Sequence, residues 1–413
     1  MSKTQTRSRR IAIIGGCGHV GLPLGVTFAT RRVGKVLLVD IDKQAIARVK
    51  KGRFPFCEKG GDRQLRRALQ NGLEVTSNPA DCKGSDVFVF VTGTPIDEYL
   101  NPKIHDVLNI FEAYEEYFSP GALVIMRSTL FPGTMEHLRN HLLGKGFDIK
   151  LAFCPERVAQ GFALEEIESL PQIVSAFDDD SFEAACEVFS RVAPAIVRLT
   201  PIEAELTKLM NNSWRYLEFA IANQFYMIAE SKGVDFFRVY QALRHDYPRA
   251  RGYSRPGLAA GPCLFKDTMQ LASYFDHQFY LGHSAMLVNE GMATFIAMKA
   301  ARMLGDRLWG KTVGLLGMTF KADNDDTRDS LSFKVKKDLE FQGAKVIFHD
   351  PFLPEAAPLK KVLHDSDILI LCVPHSAYGK IKPAKPLIDV WGFFRQPDVE
   401  VIPGRVRAGS KRS

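Results

Sequence analysis

Long apolar runs are missing from this sequence. No stretch of about 18 consecutive apolar residues occurs, so the sequence predicts no membrane-spanning helix. The first ten residues are polar and basic, and the apolar run at residues 11–14 is too short for the core of a signal peptide. From these absences we expect a cytoplasmic protein with no membrane partner.

Cysteine is also scarce, with seven residues in a chain of 413. The number is odd, the spacing is wide and no Cys-x-x-Cys pair occurs, so the sequence predicts neither a disulfide framework nor a zinc site. The net charge of +7 is partly carried by basic residues near both ends, whose simplest interpretation is solvated termini. This charge suits anionic small molecules but is too dilute to indicate nucleic-acid binding.

What the sequence does contain is an alternation of short apolar runs with amphipathic stretches. Most of the early runs are followed closely by Gly, Pro, Asp or Thr, and they lie at residues 11–14, 35–39, 86–91, 122–126, 149–153 and 172–175. This pattern is typical of a parallel sheet covered by helices on both faces. The alternation returns after residue 310, with runs at residues 311–318, 345–349, 368–373 and 386–390.

The middle of the chain is different. Residues 203–230 contain no Gly or Pro and repeat apolar residues at helical spacing, which predicts one long helix followed by more helical segments up to residue 304. Such a section is a natural connector and dimer surface. We therefore predict an α/β fold in which two Rossmann-like, doubly wound domains are joined by a long central helix and a helical middle domain. The predicted domains are residues 1–200, 201–305 and 306–413.

A glycine-rich turn lies in the first α/β region. Residues 16–21 read Gly-Cys-Gly-His-Val-Gly between a predicted strand and a helix-forming stretch, and Asp40 ends the next strand 19 residues after Gly21. A turn of this kind can also bind nothing, but strand, turn, helix and acidic residue together form a dinucleotide-binding fingerprint. The glycines let the backbone approach a pyrophosphate at the positive end of the helix. Since Asp40 would repel a 2′-phosphate, the sequence predicts NAD rather than NADP.

Further motifs follow in a fixed order. They are Thr92-Gly93-Thr94-Pro95, Arg127-Ser128-Thr129, Pro132-Gly133-Thr134, Cys154-Pro155-Glu156-Arg157, Ala204-Glu205-Leu206-Thr207-Lys208 with Asn212, Cys263-Leu264-Phe265-Lys266-Asp267, and residues 320–328, which read Phe-Lys-Ala-Asp-Asn-Asp-Asp-Thr-Arg. Each motif is weak alone, but the ordered set spans nearly the whole chain. In this set the chain resembles the nucleotide-sugar dehydrogenases of the UDP-glucose and UDP-N-acetylmannosamine 6-dehydrogenase type.

The resemblance implies a reaction and an assembly. A nucleotide-sugar substrate would be oxidised at its C6 alcohol to a carboxylate by two NAD+, without a metal, and the enzyme would be a homodimer. A thiolate would hold the aldehyde as a thiohemiacetal, a second hydride transfer would give a thioester, and water would hydrolyse that thioester. The product would be a uronic acid.

Cys263 is the candidate thiolate. It lies in a loop of small residues and is followed by the charged pair Lys266 and Asp267. Its local sequence fits a buried core cysteine equally well, whereas the resemblance favours catalysis. Lys266 could lower the pKa of the thiol, and Asp267 could hold a water or the lysine.

Lys208 and Asn212 are four residues apart, so they share one face of the long helix. By themselves they would be taken for an exposed lysine and asparagine. The resemblance instead places them at the C6 oxygen as it becomes anionic.

The other candidate residues come mainly from loops. Thr129 and Glu156 follow predicted strands, and the resemblance implies that the threonine positions water and that the glutamate assists proton transfer and thioester hydrolysis. Lys321 and Arg328 could clamp a pyrophosphate or form part of a solvated charged turn. The predicted cofactor-binding residues are Gly16, Gly18, His19, Val20, Gly21, Asp40, Thr94, Thr129 and Arg328. The predicted substrate-binding residues are Glu156, Arg157, Lys208, Asn212, Arg249, Lys266 and Lys321. The resemblance also implies one arginine that reaches across the dimer, and Arg249 and Arg251 are the alternatives for it.

The loop before Cys263 departs from the family pattern, which is richer in glycine than the Leu-Ala-Ala-Gly-Pro of residues 258–262. Alanine and proline restrict the backbone, so the path of this loop and the identity of the sugar stay open. Two alternative functions also stay open. One is a two-electron β-hydroxyacid or 6-phosphogluconate-type dehydrogenase, which needs no cysteine. The other is a non-catalytic homologue that binds NAD or a nucleotide sugar.

Overall fold

The computed structural model describes residues 9–94, 97, 103–395 and 399. The basic residues of the first eight positions and of the last fourteen lie outside this part of the chain, as does Pro95 of the motif at residues 92–95. Within the described residues, no helix is both long enough and apolar enough to cross a membrane.

The first α/β unit is built on an eight-stranded sheet. Its strands are β1 Arg10–Ile14, β2 Lys35–Val39, β3 Glu74–Thr76, β4 Val87–Phe90, β5 Leu123–Met126, β6 Lys150–Phe153, β7 Gln172–Ala176 and β8 Ile196–Leu199. They are arranged in the order β3-β2-β1-β4-β5-β6-β7-β8. This order reverses between β1 and β4, which is where open α/β sheets form a ligand crevice at the carboxyl ends of their strands.

The prediction of a purely parallel sheet is wrong at β7, which pairs antiparallel with β6. A short buried strand is apolar along its whole length in either direction, so the pattern at residues 172–175 carried no information on direction. The sequence also missed β3 and β8. The first has only three residues, and the second is a partly exposed edge strand that contains Arg198.

Helices cover both faces of this sheet. They are α1 Gly21–Thr30, α2 Lys43–Lys50, α3 Gly61–Gln70, α4 Ile104–Glu112, α5 Thr134–Gly144, α6 Ala163–Ser169 and α7 Asp179–Phe189. Ile11 and Ile13 of β1 join the core on one face, while Ala12 and Ile14 join the core on the other. This alternation along a single strand is why the run at residues 11–14 is apolar throughout.

A helix of 31 residues, α8 Pro201–Ser231, follows the first unit. Thr200 and Glu203 form a capping box at its start, and Pro201 occupies the first turn, where a missing N–H costs nothing. The prediction of one long central helix is therefore confirmed. The helices that follow it are α9 Phe236–Arg244, α10 Leu264–Tyr274 and α11 Tyr280–Met303.

The second α/β unit is smaller. Its sheet has four parallel strands in the order β10-β9-β11-β12. The strands are β9 Thr312–Leu316, β10 Lys345–His349, β11 Ile368–Leu371 and β12 Leu387–Asp389, and the helices are α12 Leu331–Phe341 and α13 Leu359–Asp365. Short 3₁₀ turns lie at Pro79–Cys82, Glu115–Tyr117, Pro248–Ala250 and Ser376–Lys380. The predicted fold class is confirmed, whereas the domain boundaries at residues 200 and 305 stay a prediction.

Candidate active site

The glycine turn joins β1 to α1 at the crevice. Gly15 N and Gly16 N both donate to Val39 O, at 2.9 and 3.0 Å, which holds the turn against β2. A Cβ atom at Gly21 would lie 2.4 Å from Gly15 O. Only glycine fits at this position, so the start of α1 can come close enough to the turn to form a pyrophosphate cradle.

Asp40 is attached directly to this turn. Its Oδ2 accepts a hydrogen bond from Cys17 N at 2.8 Å, and its Oδ1 accepts one from Asp42 N at 2.9 Å. A carboxylate oxygen has a second lone pair, so both oxygens can still accept from ribose hydroxyls. Asp40 is thus placed to bind a ribose and also to fix the shape of the turn.

His19 brings the glycine turn into contact with the second α/β unit. Its ring stacks on Phe56 with centroids 4.0 Å apart, and its Nε2 lies 3.8 Å from Asp326 Oδ2. Arg328 grips the same carboxylate, with Nη2 2.6 Å from Oδ2. Burial, together with the charge of Arg328, lowers the pKa of His19. This histidine is therefore a half-buried neutral ring between the two units and not a surface residue.

Cys263 is the residue that precedes α10, and its side chain is exposed. The space bordered by this thiol, Lys208 of α8 and Arg328 of the second α/β unit is called the cleft below. The surrounding protein displaces enough solvent to raise the pKa of the thiol, and the negative charge of Asp267 raises it further. The positive charges of Lys266, Lys208 and Arg328 oppose this rise. Three cations from separate sequence motifs therefore converge on one thiol.

Asp267 ties this cluster together. It is fully buried, and its Oδ2 accepts a hydrogen bond of 2.6 Å from Asn212 Nδ2. Lys266 Nζ lies 3.1 Å from Asp267 Oδ1 and also donates to Thr94 O at 3.1 Å. Cys263, Lys208, Asn212, Lys266 and Asp267 are called the Cys263 cluster below. It joins α8, α10 and the loop after β4.

The loop before Cys263 is held against the second unit at its two glycines. A Cβ atom at Gly257 would lie 2.3 Å from the ring of Trp391, and one at Gly261 would lie 2.6 Å from the ring of Phe320. Gly261 has a φ of +103°, which disfavours other residues. The loop therefore keeps glycine at the two points of closest approach and accepts the buried Ala259 between them.

Three predicted residues have contacts outside the Cys263 cluster. Glu156 forms a buried ion pair with Arg127 and accepts hydrogen bonds from Arg157 N at 2.7 Å and Val158 N at 3.0 Å. The guanidinium of Arg157 donates to a backbone carbonyl, that of Pro171.

Arg249 lies on an exposed turn, where its Nε donates to Tyr247 Oη at 2.8 Å. None of the contacts made by Glu156, Arg157 or Arg249 within the described residues involves Cys263. Their assignment to the substrate thus stays a prediction.

Thr129 and Thr94 line one small cavity beside α10, together with Gln270. Gln270 is 1% exposed, and its side-chain oxygen has no hydrogen-bond partner in the described part of the chain. No motif in the sequence pointed to Gln270. The available signal was its spacing, because seven positions after Cys263 is a helical spacing that places the two residues on the same face of α10.

Lys321 closes the cleft from the side of the second unit. Its Nζ donates to Gln160 O at 2.6 Å and lies 5.6 Å from the centre of the Phe162 ring. Burial lowers the pKa of Lys321, and the nearby positive charge of Arg215 lowers it further. Cations from α8, from α10 and from the second α/β unit thus lie around the cleft, an arrangement that favours an anionic ligand. Among the described residues there is no group of three or more His, Cys, Asp and Glu side chains that could hold a metal.

Comparison with known families gives three matches in chain order. The NAD binding domain of the UDP-glucose/GDP-mannose dehydrogenase family matches residues 9–193. The central domain of the same family matches residues 202–291, and its UDP binding domain matches residues 314–396.

Individual proteins are similar over almost their whole length. A UDP-N-acetyl-D-mannosamine dehydrogenase of Pyrococcus horikoshii is 29% identical over 95% of this chain and 98% of its own. The solved structure of the P. horikoshii enzyme has a TM-score of 0.83 and covers 90% of this chain and 91% of that one, again at 29% identity. A UDP-glucose dehydrogenase structure from Pyrobaculum islandicum has a TM-score of 0.87 at 25% identity, with 95% and 96% of the two chains covered.

Proposed function

The chain belongs to the UDP-glucose/GDP-mannose dehydrogenase family, and from this membership we propose that it oxidises the C6 alcohol of a nucleotide sugar to a carboxylate. Two molecules of NAD+ would supply the hydride acceptors, and Cys263 is the covalent nucleophile. The observation that carries this proposal is the Cys263 cluster, in which a thiol at the start of α10 lies among cations and a buried amide–carboxylate pair.

In the first oxidation, Lys208 and Asn212 stabilise the C6 oxygen while its proton passes to water. Asn212 donates one amide hydrogen to Asp267 and keeps a second for this oxygen. The positive charge of Lys208 favours the anionic form of the oxygen, because interactions aimed at developing charge lower the barrier most. Bound NAD+ supplies the hydride acceptor, held by the glycine turn and Asp40.

In the second half of the reaction, Cys263 keeps the sugar on the enzyme. Its Sγ adds to the aldehyde carbon while the thiol proton passes to the aldehyde oxygen, which gives a thiohemiacetal whose oxygen again faces Lys208. Loss of the hydroxyl proton to water and of the hydride on that carbon, for which a second NAD+ would be the acceptor, gives a thioester. Water then adds to the thioester carbon and the C–S bond breaks. One proton of that water returns to the sulfur, the other passes to solvent, and the sugar carboxylate is the product. We propose that Thr129 positions this water and that Glu156 assists its deprotonation.

The substrate is proposed to be a UDP-sugar. The match of residues 314–396 to a UDP binding domain supports the nucleotide. Lys321, Arg328 and Lys266 offer the positive charge that its pyrophosphate needs. The similarity to the P. horikoshii enzyme makes UDP-N-acetylmannosamine the first sugar to test.

A substrate panel tests the proposal. Purified protein is incubated with NAD+ and UDP-glucose, UDP-N-acetylglucosamine, UDP-N-acetylmannosamine or TDP-glucose, and NADH is counted per sugar consumed. We expect two NADH and a uronic acid. One NADH with a ketosugar product would refute the four-electron reaction in favour of a two-electron dehydrogenase. NAD binding in calorimetry without any turnover would indicate a non-catalytic homologue.

Asp40→Asn is expected to weaken NAD binding by roughly tenfold to a hundredfold, because it removes a charged acceptor for the ribose and weakens the bond to Cys17 N. Calorimetry gives the dissociation constants for NAD and NADP. Asp42→Asn is the matched control, since Asp42 caps α2 and asparagine caps a helix equally well. Equal NAD affinity in the two variants would contradict the role of Asp40.

We also propose a homodimer that pairs through α8. A stripe of exposed apolar side chains follows one face of this helix: Met210, Trp214, Ile221, Phe225 and Ile228. Phe225→Glu is expected to yield a monomer by sedimentation, since a buried charge opposes pairing. Phe341→Glu is the control, because Phe341 lies on α12 and is 94% exposed. It should leave the sedimentation mass of the dimer unchanged. A monomeric wild-type protein would overturn this proposal.

A further inference from the structure

One buried carboxylate beside the cleft takes no part in the chemistry above. Glu205 lies near the start of α8 and is 1% exposed. Its Oε2 accepts a hydrogen bond from Gly133 N at 2.7 Å, and its Oε1 accepts one from Met135 N at 2.8 Å. Both donors belong to the beginning of α5. One side chain of the central helix therefore holds the end of a helix in the first α/β unit.

The start of α5 depends on this contact. The residue that precedes the helix is Gly133, which has no side chain to cap it. The first N–H groups of a helix have no partner within the helix and need an acceptor from elsewhere. The loop just before α5 carries Thr129, and it is tied to the helix by the Thr134 hydroxyl, which donates to Phe131 O at 2.6 Å. Holding α5 therefore also holds the Thr129 loop.

Glu205 shares a helix face with the catalytic candidates. It lies three residues before Lys208 and seven before Asn212, a spacing that aligns side chains along one side of α8. A slide or rotation of α8 that broke the two bonds of Glu205 would move Lys208 and Asn212 relative to Thr129. Misplacing a reacting group by about 1 Å can cost about a hundredfold in rate.

We propose that Glu205 is a positioning residue for the oxidation: its carboxylate locks α8 to the first turn of α5 and so sets Lys208 and Asn212 in register with the Thr129 loop. The kinetic part of this proposal rests on the proposed function, whereas the structural link does not. Glu205 touches neither Cys263 nor any other member of the Cys263 cluster among the contacts the described residues make, so its effect is exerted through the two helices.

The two hydrogen bonds that Glu205 accepts from Gly133 N and Met135 N are called the lock below, and they are sensitive to protonation. Burial raises the pKa of Glu205 to about 7, the two backbone N–H groups oppose the rise, and Glu136 in the first turn of α5 adds to it. A protonated carboxyl carries an O–H donor where the lock needs two acceptors. The folded protein binds this proton more tightly than an unfolded chain would. Protonation of Glu205 therefore adds to the free energy of unfolding at pH below about 4.5, and this contribution is lost as the pH rises to about 7. The two hydrogen bonds to α5, in contrast, need the ionised carboxylate.

The test compares Glu205→Gln with Glu203→Gln. Both changes are on α8, but Glu203 is exposed, and glutamine keeps its capping box. We expect Glu205→Gln to lower kcat about tenfold at pH values above about 7, with KM for both substrates changed less than about twofold. We also expect it to remove the part of the kcat–pH profile that titrates near pH 7 in the wild type. Glu203→Gln should have the kcat, the KM values and the kcat–pH profile of the wild type.

Amide hydrogen exchange tests the lock without any activity. We expect the amides of Gly133 and Met135 to exchange at least about tenfold faster in Glu205→Gln than in Glu203→Gln. Unchanged exchange would refute the link between α8 and α5. Faster exchange with wild-type kcat, KM and pH profile per folded molecule would refute the positioning role and leave Glu205 purely structural. If the wild type oxidises no sugar, the proposed function fails, and the exchange result still decides whether the lock exists.

Discussion

Cys263→Ser is expected to lower the rate of uronic acid formation by about a thousandfold or more. A serine hydroxyl at this position has no base within the Cys263 cluster strong enough to make it as nucleophilic as a thiolate, so the aldehyde would not be captured. The yield of NADH per sugar should fall from two towards one or none. Quantifying NADH and product on the substrate that the panel selects measures both effects.

The matched control is Cys186→Ser, a half-buried cysteine on α7. It should behave like the wild type. A second observable is the covalent intermediate itself: intact-mass measurement of quenched enzyme should find a sugar-nucleotide adduct in the wild type and in Cys186→Ser but not in Cys263→Ser. A Cys263→Ser enzyme with the wild-type rate would mean that no thioester forms, and the two-electron class would then be favoured.

The charges around Cys263 also set its pH dependence. Because partial desolvation by the surrounding protein and the charge of Asp267 raise the pKa of this thiol, it is mostly protonated at neutral pH in the free enzyme. Alkylation by iodoacetamide should therefore accelerate with rising pH, since only the thiolate reacts. Formation of the thiolate during the reaction therefore depends on the positive charges of Lys208, Lys266 and Arg328, which lower the pKa of the thiol.

Local patterns in the sequence predicted those parts of the site that are built within a few residues. The glycine turn, the position of Asp40 at the end of β2 and the shared helix face of Lys208 and Asn212 all follow from strand and helix periodicity. In the same way, the two strands predicted at residues 35–39 and 345–349 have the predicted bounds. Such features depend on neighbours that the sequence displays directly.

Features built across units were not predictable in this way. The bond from Asn212 to Asp267 joins residues 55 positions apart, and the contact of His19 with Asp326 joins the two α/β units. No periodicity links such residues. Glu205 illustrates the difficulty, because a glutamate next to apolar residues on a helix is ordinarily solvated, and only the position of α5 reveals its two donors. Similarly, nothing in the apolar run of β7 distinguished an antiparallel strand from a parallel one.

Lys208→Met is expected to lower kcat by about a hundredfold to a thousandfold, the range found when a single donor to a developing oxyanion is removed. Methionine keeps most of the apolar stem and loses only the charged end, so packing of α8 should be preserved. The loss should fall on kcat and kcat/KM together, because Lys208 is proposed to act on the transition state more than on the bound substrate. Steady-state kinetics with the preferred sugar nucleotide measure it.

Lys208→Met is also expected to change the reactivity of Cys263, which can be measured without turnover. The charge of Lys208 favours the Cys263 thiolate, so its removal should raise the pKa of the thiol and slow alkylation at a fixed pH. Lys232→Met is the control, because Lys232 is exposed just beyond the end of the same helix. If Lys208→Met slowed alkylation but left kcat within about threefold of the wild type, Lys208 would serve the thiol and not the C6 oxygen. If neither the alkylation rate nor kcat changed, Lys208 would act on neither the thiol nor the C6 oxygen. The proposal that α8 and α10 present their side chains to one reacting carbon would then be refuted.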